Sequence, residues 1–153
     1  MGTCTRAQIV KILYNRSGNQ VDYSYYYLPF TDVAPGAWYY NAVAWAYYND
    51  VTSGTSATMF TPDAAITRQQ LVTFLYRYTV KYAPEFTGNA APISAFPDAG
   101  SVANWAYAAR SWAVGNGLIK GLPHGKTDYL EPGGSTTRAQ VATILMRYEQ
   151  ATA

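Results

Sequence analysis

The chain is 153 residues long, enough for one domain with a buried core, and its formal charge of +2 is too small to imply a nucleic-acid partner. One Cys and one His allow neither an internal disulfide nor a Cys/His metal cluster, and no apolar run reaches the ~18 residues of a membrane span. Only 13% of residues are charged while 15 are Tyr, a balance that suits an extracellular surface stacking on sugars, or tyrosine rings that cover core.

The first predicted helix covers residues 5–16. Thr5 followed by Gln8 is a capping box: the hydroxyl accepts from the N3 amide and the Gln side chain accepts from the N-cap amide. Cys4 takes the apolar staple position before it, and Ile9, Ile12 and Leu13 follow at helical spacing. Residues 21–29 lack helical period and read as a Tyr-rich linker. Phe30-Thr31-Asp32-Val33 then leads to Trp38 and to a helix over 39–49 that holds Ala42, Trp45 and Ala46. Asp32 reads as turn or cap chemistry near that helix start. After Asn49-Asp50-Val51 the chain passes Gly54 and Phe60-Thr61-Pro62 into a helix over 67–82. That helix opens with the capping box Thr67/Gln70 and carries the stripe Leu71, Phe74, Leu75 and Tyr78. A second linker covers 83–94.

Then the order returns. Phe96-Pro97-Asp98-Ala99 is followed by Trp105, Trp112 and a helix over 105–115, by Asn116-Gly117-Leu118, Gly121 and Leu130-Glu131-Pro132, and by a helix over 137–150. Thr137/Gln140 caps that helix, with Val141, Ile144, Leu145 and Tyr148 as its stripe. Its preceding loop is longer than the earlier copy by three residues near Gly125, and His124 reads as a loop residue. Trp45 and Trp112, in mid-helix, are expected in the core; Trp38 and Trp105, at helix starts, are candidates for an exposed aromatic wall.

Arg6, Arg68 and Arg138 share one place, the first helical position. A cation there faces the positive end of the helix dipole, at a cost of ~0.3–1 kcal/mol. Helix stability alone favours Asp, Glu or Pro. Either each arginine pairs with an acid elsewhere, or the arginines hold an anionic ligand.

These residues in this order resemble the S-layer homology (SLH) repeat: Phe-x-Asp-Val, a Trp-Ala helix, a Gly loop with Phe-x-Pro, and a second helix opened by Thr-Arg-Ala-Glu. Gln8, Gln70 and Gln140 stand where that motif has Glu. The resemblance divides the chain into 1–20, the second helix of a partial first repeat; 21–29, linker; 30–82, second repeat; 83–95, linker; and 96–150, third repeat. It implies one domain of the all-α class, a pseudo-threefold SLH-type helical bundle built from helix–loop–helix repeats. Met1-Gly2 reads as an engineered start, so a leader and the first half-repeat are expected to have been removed.

The resemblance further implies a non-catalytic anchoring module at the bacterial cell surface. Its ligand is an anionic, pyruvylated secondary cell-wall polysaccharide held in grooves between repeats, with no cofactor, metal, nucleic-acid or membrane partner. The implied glycan-binding residues are Arg6, Arg68 and Arg138. A guanidinium suits a ketal carboxylate, and free amides at each helix N-terminus add an anion site. Trp38 and Trp105 would stack on sugar rings, Gly54 and Gly121 would admit close backbone approach, and Lys120 would add charge where the other copy has Ser53. A different class of function is a structural assembly module. The first repeat lacks its Trp helix, so Ile9, Ile12 and Leu13 are expected to lie bare unless the linker 21–29 or a second chain covers them. No spaced carboxylate pair with a base points to an enzyme.

Overall fold

The computed structural model describes residues 2–120, 122–124 and 127–152, and for 122–124 and 127–129 the backbone alone. Three arginine helices, α1 (Arg6–Ser17), α3 (Arg68–Tyr82) and α5 (Arg138–Ala151), alternate with two Trp-Ala helices, α2 (Tyr40–Tyr48) and α4 (Asn104–Gly115). The class is all-α. A short antiparallel hairpin, β1 (Leu122–His124) and β2 (Thr127–Tyr129), occupies the loop in which His124 was expected to be irregular. The three added residues give that loop enough length to fold back on itself.

Thr5, Thr67 and Thr137 close full capping boxes with Gln8, Gln70 and Gln140. The amide retains everything the box needs from Glu, since only the side-chain oxygen accepts. Both Trp-Ala helices stop alike. The Asn49 and Asn116 side chains donate back to the Trp45 and Trp112 carbonyls, both at 2.9 Å. The next residue, Asp50 or Gly117, turns left-handed at φ 61° or 70°.

The segments before the three capping threonines meet in a ring. Ile66 N–H donates to the Cys4 carbonyl at 2.8 Å, Thr136 N–H to Ile66 at 3.0 Å, and Cys4 N–H to Thr136 at 3.3 Å. Each of three matching residues thus donates to one neighbour and accepts from the other, which fixes an approximate threefold relation among α1, α3 and α5. Cys4 packs into the core in this ring, and burial raises its thiol pKa against the opposing pull of Arg138.

Each Trp-Ala helix wedges between two arginine helices. The Trp45 ring meets Tyr14 of α1 and Tyr78 and Tyr82 of α3. Trp112 meets Tyr76 of α3 and Tyr148 of α5. Both indoles are buried, as expected for mid-helix positions, and the alanines around them let the backbones close in. This arrangement overturns the expectation of a bare first helix. α2 packs on α1, the helix before it in sequence, and Ile9 and Leu13 are buried; only Ile12 is exposed. The linker contributes little cover. Tyr23 is buried, whereas Tyr25 is 95% exposed and Tyr27 stands out as well. The open face lies instead on α5. Ala142 and Met146 are exposed there, at the positions corresponding to buried Val72 and half-buried Tyr76 in α3. Between α5 and α1 no Trp helix intervenes. Arg16 and Glu149 form an ion pair, with the Arg16 guanidinium 5.2 Å from the Tyr148 ring centre.

Candidate functional site

Asp32 and Asp98 fix the loops that carry the site, and they do not cap their own helices. Asp32 accepts from Phe60 N–H at 2.9 Å and Thr61 N–H at 2.7 Å; Asp98 accepts from Leu130 N–H at 2.8 Å and Glu131 N–H at 2.7 Å. Each carboxylate therefore bridges from the start of a repeat to its second half. Thr61 and Glu131 are left-handed, with φ 59° and 47°, and the carboxylates hold them there. Neither α2 nor α4 has a side-chain N-cap bond. The turn signal at Asp32 and Asp98 was real, but its partner lies far along the chain.

The loops so held feed the helix N-termini. Arg6 and Ala7 amides donate to the Ala64 and Pro62 carbonyls, and Arg68 and Gln69 amides to Gly134 and Pro132, all at 3.0 Å. Arg138 N–H donates to Gly2 at 3.1 Å. With the next amide taken by the capping threonine, the first-turn donors of α1 and α3 are occupied, and the anion site expected of free amides is not present at either helix.

The three arginines have three different surroundings. Arg6 is 3% exposed; its Nε donates to the Phe60 carbonyl at 2.9 Å, and its guanidinium sits 4.7 and 5.1 Å from the Phe60 and Phe74 ring centres. Burial pulls its pKa down to about 10, against the supporting charge of Asp32, so it stays protonated at neutral pH. Arg68 is also buried, but its head lies elsewhere. One terminal nitrogen donates to the Gln140 side chain at 3.0 Å and the other stands 3.6 Å from Glu131. Gly134 makes that placement possible, since a Cβ there would collide with the guanidinium. Burial lowers the Arg68 pKa, with Glu131 opposing. Arg138 is exposed and lies across Gly2.

Arg68 turns aside because a fourth arginine holds its place. Arg110 of α4 is 1% exposed and donates to the Leu130 carbonyl, the counterpart of the Phe60 carbonyl that Arg6 uses. Its Nε and Nη1 have no hydrogen-bond partner among the described residues. Burial pulls its pKa down to about 10, the like charge of Arg68 adds to that, and Asp98 opposes it. Arg110 belongs to no repeated motif. The available signal was a difference between copies, since Val43 fills the same buried place in α2.

These residues open onto a cavity of about 290 Å³. Its lining includes Arg68, Arg110, Lys120 and Arg147, with Leu130 and Ile144 as apolar wall and no carboxylate among the described residues. Of the expected site residues the cavity brings together Arg68 and Lys120. Trp38 and Trp105 stand outside its lining, at 58% and 52% exposure. A bond from Ala103 N–H to the Gln69 side chain, 3.1 Å, ties the start of α4 and thus Trp105 to the start of α3. Gly54 is required by its own loop: φ is 91°, and a Cβ would lie 2.5 Å from the Phe30 ring. Gly121 lies outside the described residues. Among those described, no cluster of His, Cys, Asp and Glu could hold a metal, and no helix is long and apolar enough to cross a membrane.

The S-layer homology domain profile matches residues 29–72 and 95–142. The chain is 38% identical over 119 residues to the surface-layer 125 kDa protein of Lysinibacillus sphaericus, covering 77% of this chain and 10% of that protein. It is 31% identical to exoglucanase XynX of Acetivibrio thermocellus (76% of this chain, 10% of that protein) and 33% identical to a cell surface protein of Thermoanaerobacter kivui (78% and 15%). The chain therefore spans a small part of each relative's length. Two matched stretches that each run from Phe-x-Asp through the Trp-Ala helix to the arginine helix, on a threefold all-α frame, establish that this chain belongs to the S-layer homology domain family.

Proposed function

We propose that this chain anchors a protein to the cell wall by binding an anionic, pyruvylated secondary polysaccharide in the groove between the repeats at 30–82 and 96–150. Family membership places it at the bacterial cell surface and gives it an anchoring role. The observation that carries the finer reading is the cavity's lining. Four cations and apolar wall, with no acid among the described lining residues, suit a ligand that offers a carboxylate and a sugar face. Arg68 and Lys120 supply charge at its mouth, and Trp105 is placed to stack on a neighbouring sugar. Arg138, Trp38 and Gly54 belong to the other grooves and serve there at most as secondary contacts.

Retention on purified wall polysaccharide tests this reading. Binding is expected on the intact polymer and a loss of about tenfold or more after mild acid removes the pyruvyl groups, as expected for one hydrogen-bonded charge of ~1.5–3 kcal/mol. Equal retention on both polymers sinks the pyruvyl specificity.

A second reading, assembly with other chains, draws on the open α5 face at Ala142 and Met146. It requires a sedimentation coefficient that rises with concentration and a Met146→Glu variant that stays monomeric. A constant monomer over a wide concentration range removes it.

A further inference from the structure

Resting on the cavity as the polysaccharide site, we propose that Arg110 is the residue that receives the ligand's carboxylate, and that the groove it serves is loaded while the groove at Arg6 is not. The two grooves share a frame but not a chemistry. At the first, Arg6 is committed to the Phe60 carbonyl and covered by the Phe60 and Phe74 rings. The carbonyl takes the Arg6 Nε, and the two rings lie against its guanidinium. At the second, Leu130 and Ile144 replace those aromatics, and Arg110 enters from α4 to take the carbonyl.

Arg110 then has two N–H groups, on Nε and Nη1, that no described residue satisfies, on a buried side chain that lines the cavity. A buried guanidinium with unmet donors is costly unless something accepts from it. The acid whose field reaches it, Asp98, already has both oxygens on the Leu130 and Glu131 amides. The nearby Arg68 repels it. A carboxylate in the cavity relieves both penalties at once, because it accepts from Arg110 and offsets the repulsion between the two cations. The other complete copy has Val43 at this position, so the fold itself has no need of a charge there.

The test uses the whole chain labelled with nitrogen-15, following the arginine Nε–H signals as sodium pyruvate is added. The Arg110 signal is expected to move saturably, sodium chloride at equal ionic strength to leave it in place, and the Arg6 signal to stay still throughout. Arg110→Val is expected to abolish the response and weaken polysaccharide binding about tenfold or more, with a melting temperature no lower than that of the parent chain. Arg110→Lys keeps a charge but loses the fork, so an intermediate loss is expected if the valine variant folds poorly. An Arg110 signal unmoved by pyruvate, or Arg110→Val binding the polysaccharide as the parent does, overturns the proposal and leaves wall anchoring intact. A response from Arg6 equal to that of Arg110 overturns the assignment to one groove. Pyruvate shifting Arg110 while the polysaccharide fails to bind supports the carboxylate site and overturns the polysaccharide reading.

Discussion

Trp112→Ala is expected to destabilise the domain by ~3–5 kcal/mol, the usual range for deleting a buried large aromatic. The indole is wedged among three helices. Its ring centre is 5.4 Å from that of Tyr76 on α3 and 6.2 Å from that of Tyr148 on α5, and its N–H donates to the Phe86 carbonyl at 2.9 Å. Truncation opens a cavity at the point where α4 separates α3 from α5 and leaves that carbonyl without its donor. The surroundings cannot close in easily, because the backbone hydrogen bonds among Cys4, Ile66 and Thr136 fix the spacing of the helix starts. Trp105→Ala, two turns earlier on α4 and half exposed, is expected to stay within ~0.5 kcal/mol. Urea unfolding of the two variants side by side measures the difference. Equal midpoints would show that Trp112 does not act as a wedge.

Asp32→Ala comes next, with an expected loss of ~2–4 kcal/mol. The substitution strips the partner from the Phe60 and Thr61 amides together, and an unmet buried donor costs ~1–3 kcal/mol. Both bonds are only partly buried, which keeps the sum below its ceiling. Thr61 adds to the effect, since its left-handed backbone loses the group that holds it. Asp32→Asn keeps one accepting oxygen and should recover roughly half. A thermal midpoint for Asp32→Ala within a degree or two of the parent chain would reduce the bridge to a surface contact.

What was legible in the sequence follows physical range. Capping boxes and apolar stripes are local, and all five helices begin and end within a residue or two of where Thr, Gln and Asn place them. The burial of Trp45 and Trp112, and the exposure of Trp38 and Trp105, followed from position along a helix. Partnership between distant segments was not legible. That α2 packs on the preceding α1 depends on how the chain is routed, which no periodicity records. Asp32 carries the same local signature whether it caps its own helix or reaches Phe60. Arg110 shows the limit of reading by repeats. Alignment of the copies draws attention to what recurs, whereas the cavity owes its character to a place where Arg110 and Val43 differ.

A closed ring has no first member. Thr136 stands to Cys4 as Cys4 stands to Ile66, although the first two are far apart in sequence. The order of the copies is therefore a property of the linkers and not of the contacts they lead to. A circular permutant opened within 83–95 would present the same three ring partners in another order. The join must run the length of α5, from Ala151 back to Gly2 beside Arg138, about 20 Å at 1.5 Å per helical residue. In this architecture threading can be rerouted while the axis is kept.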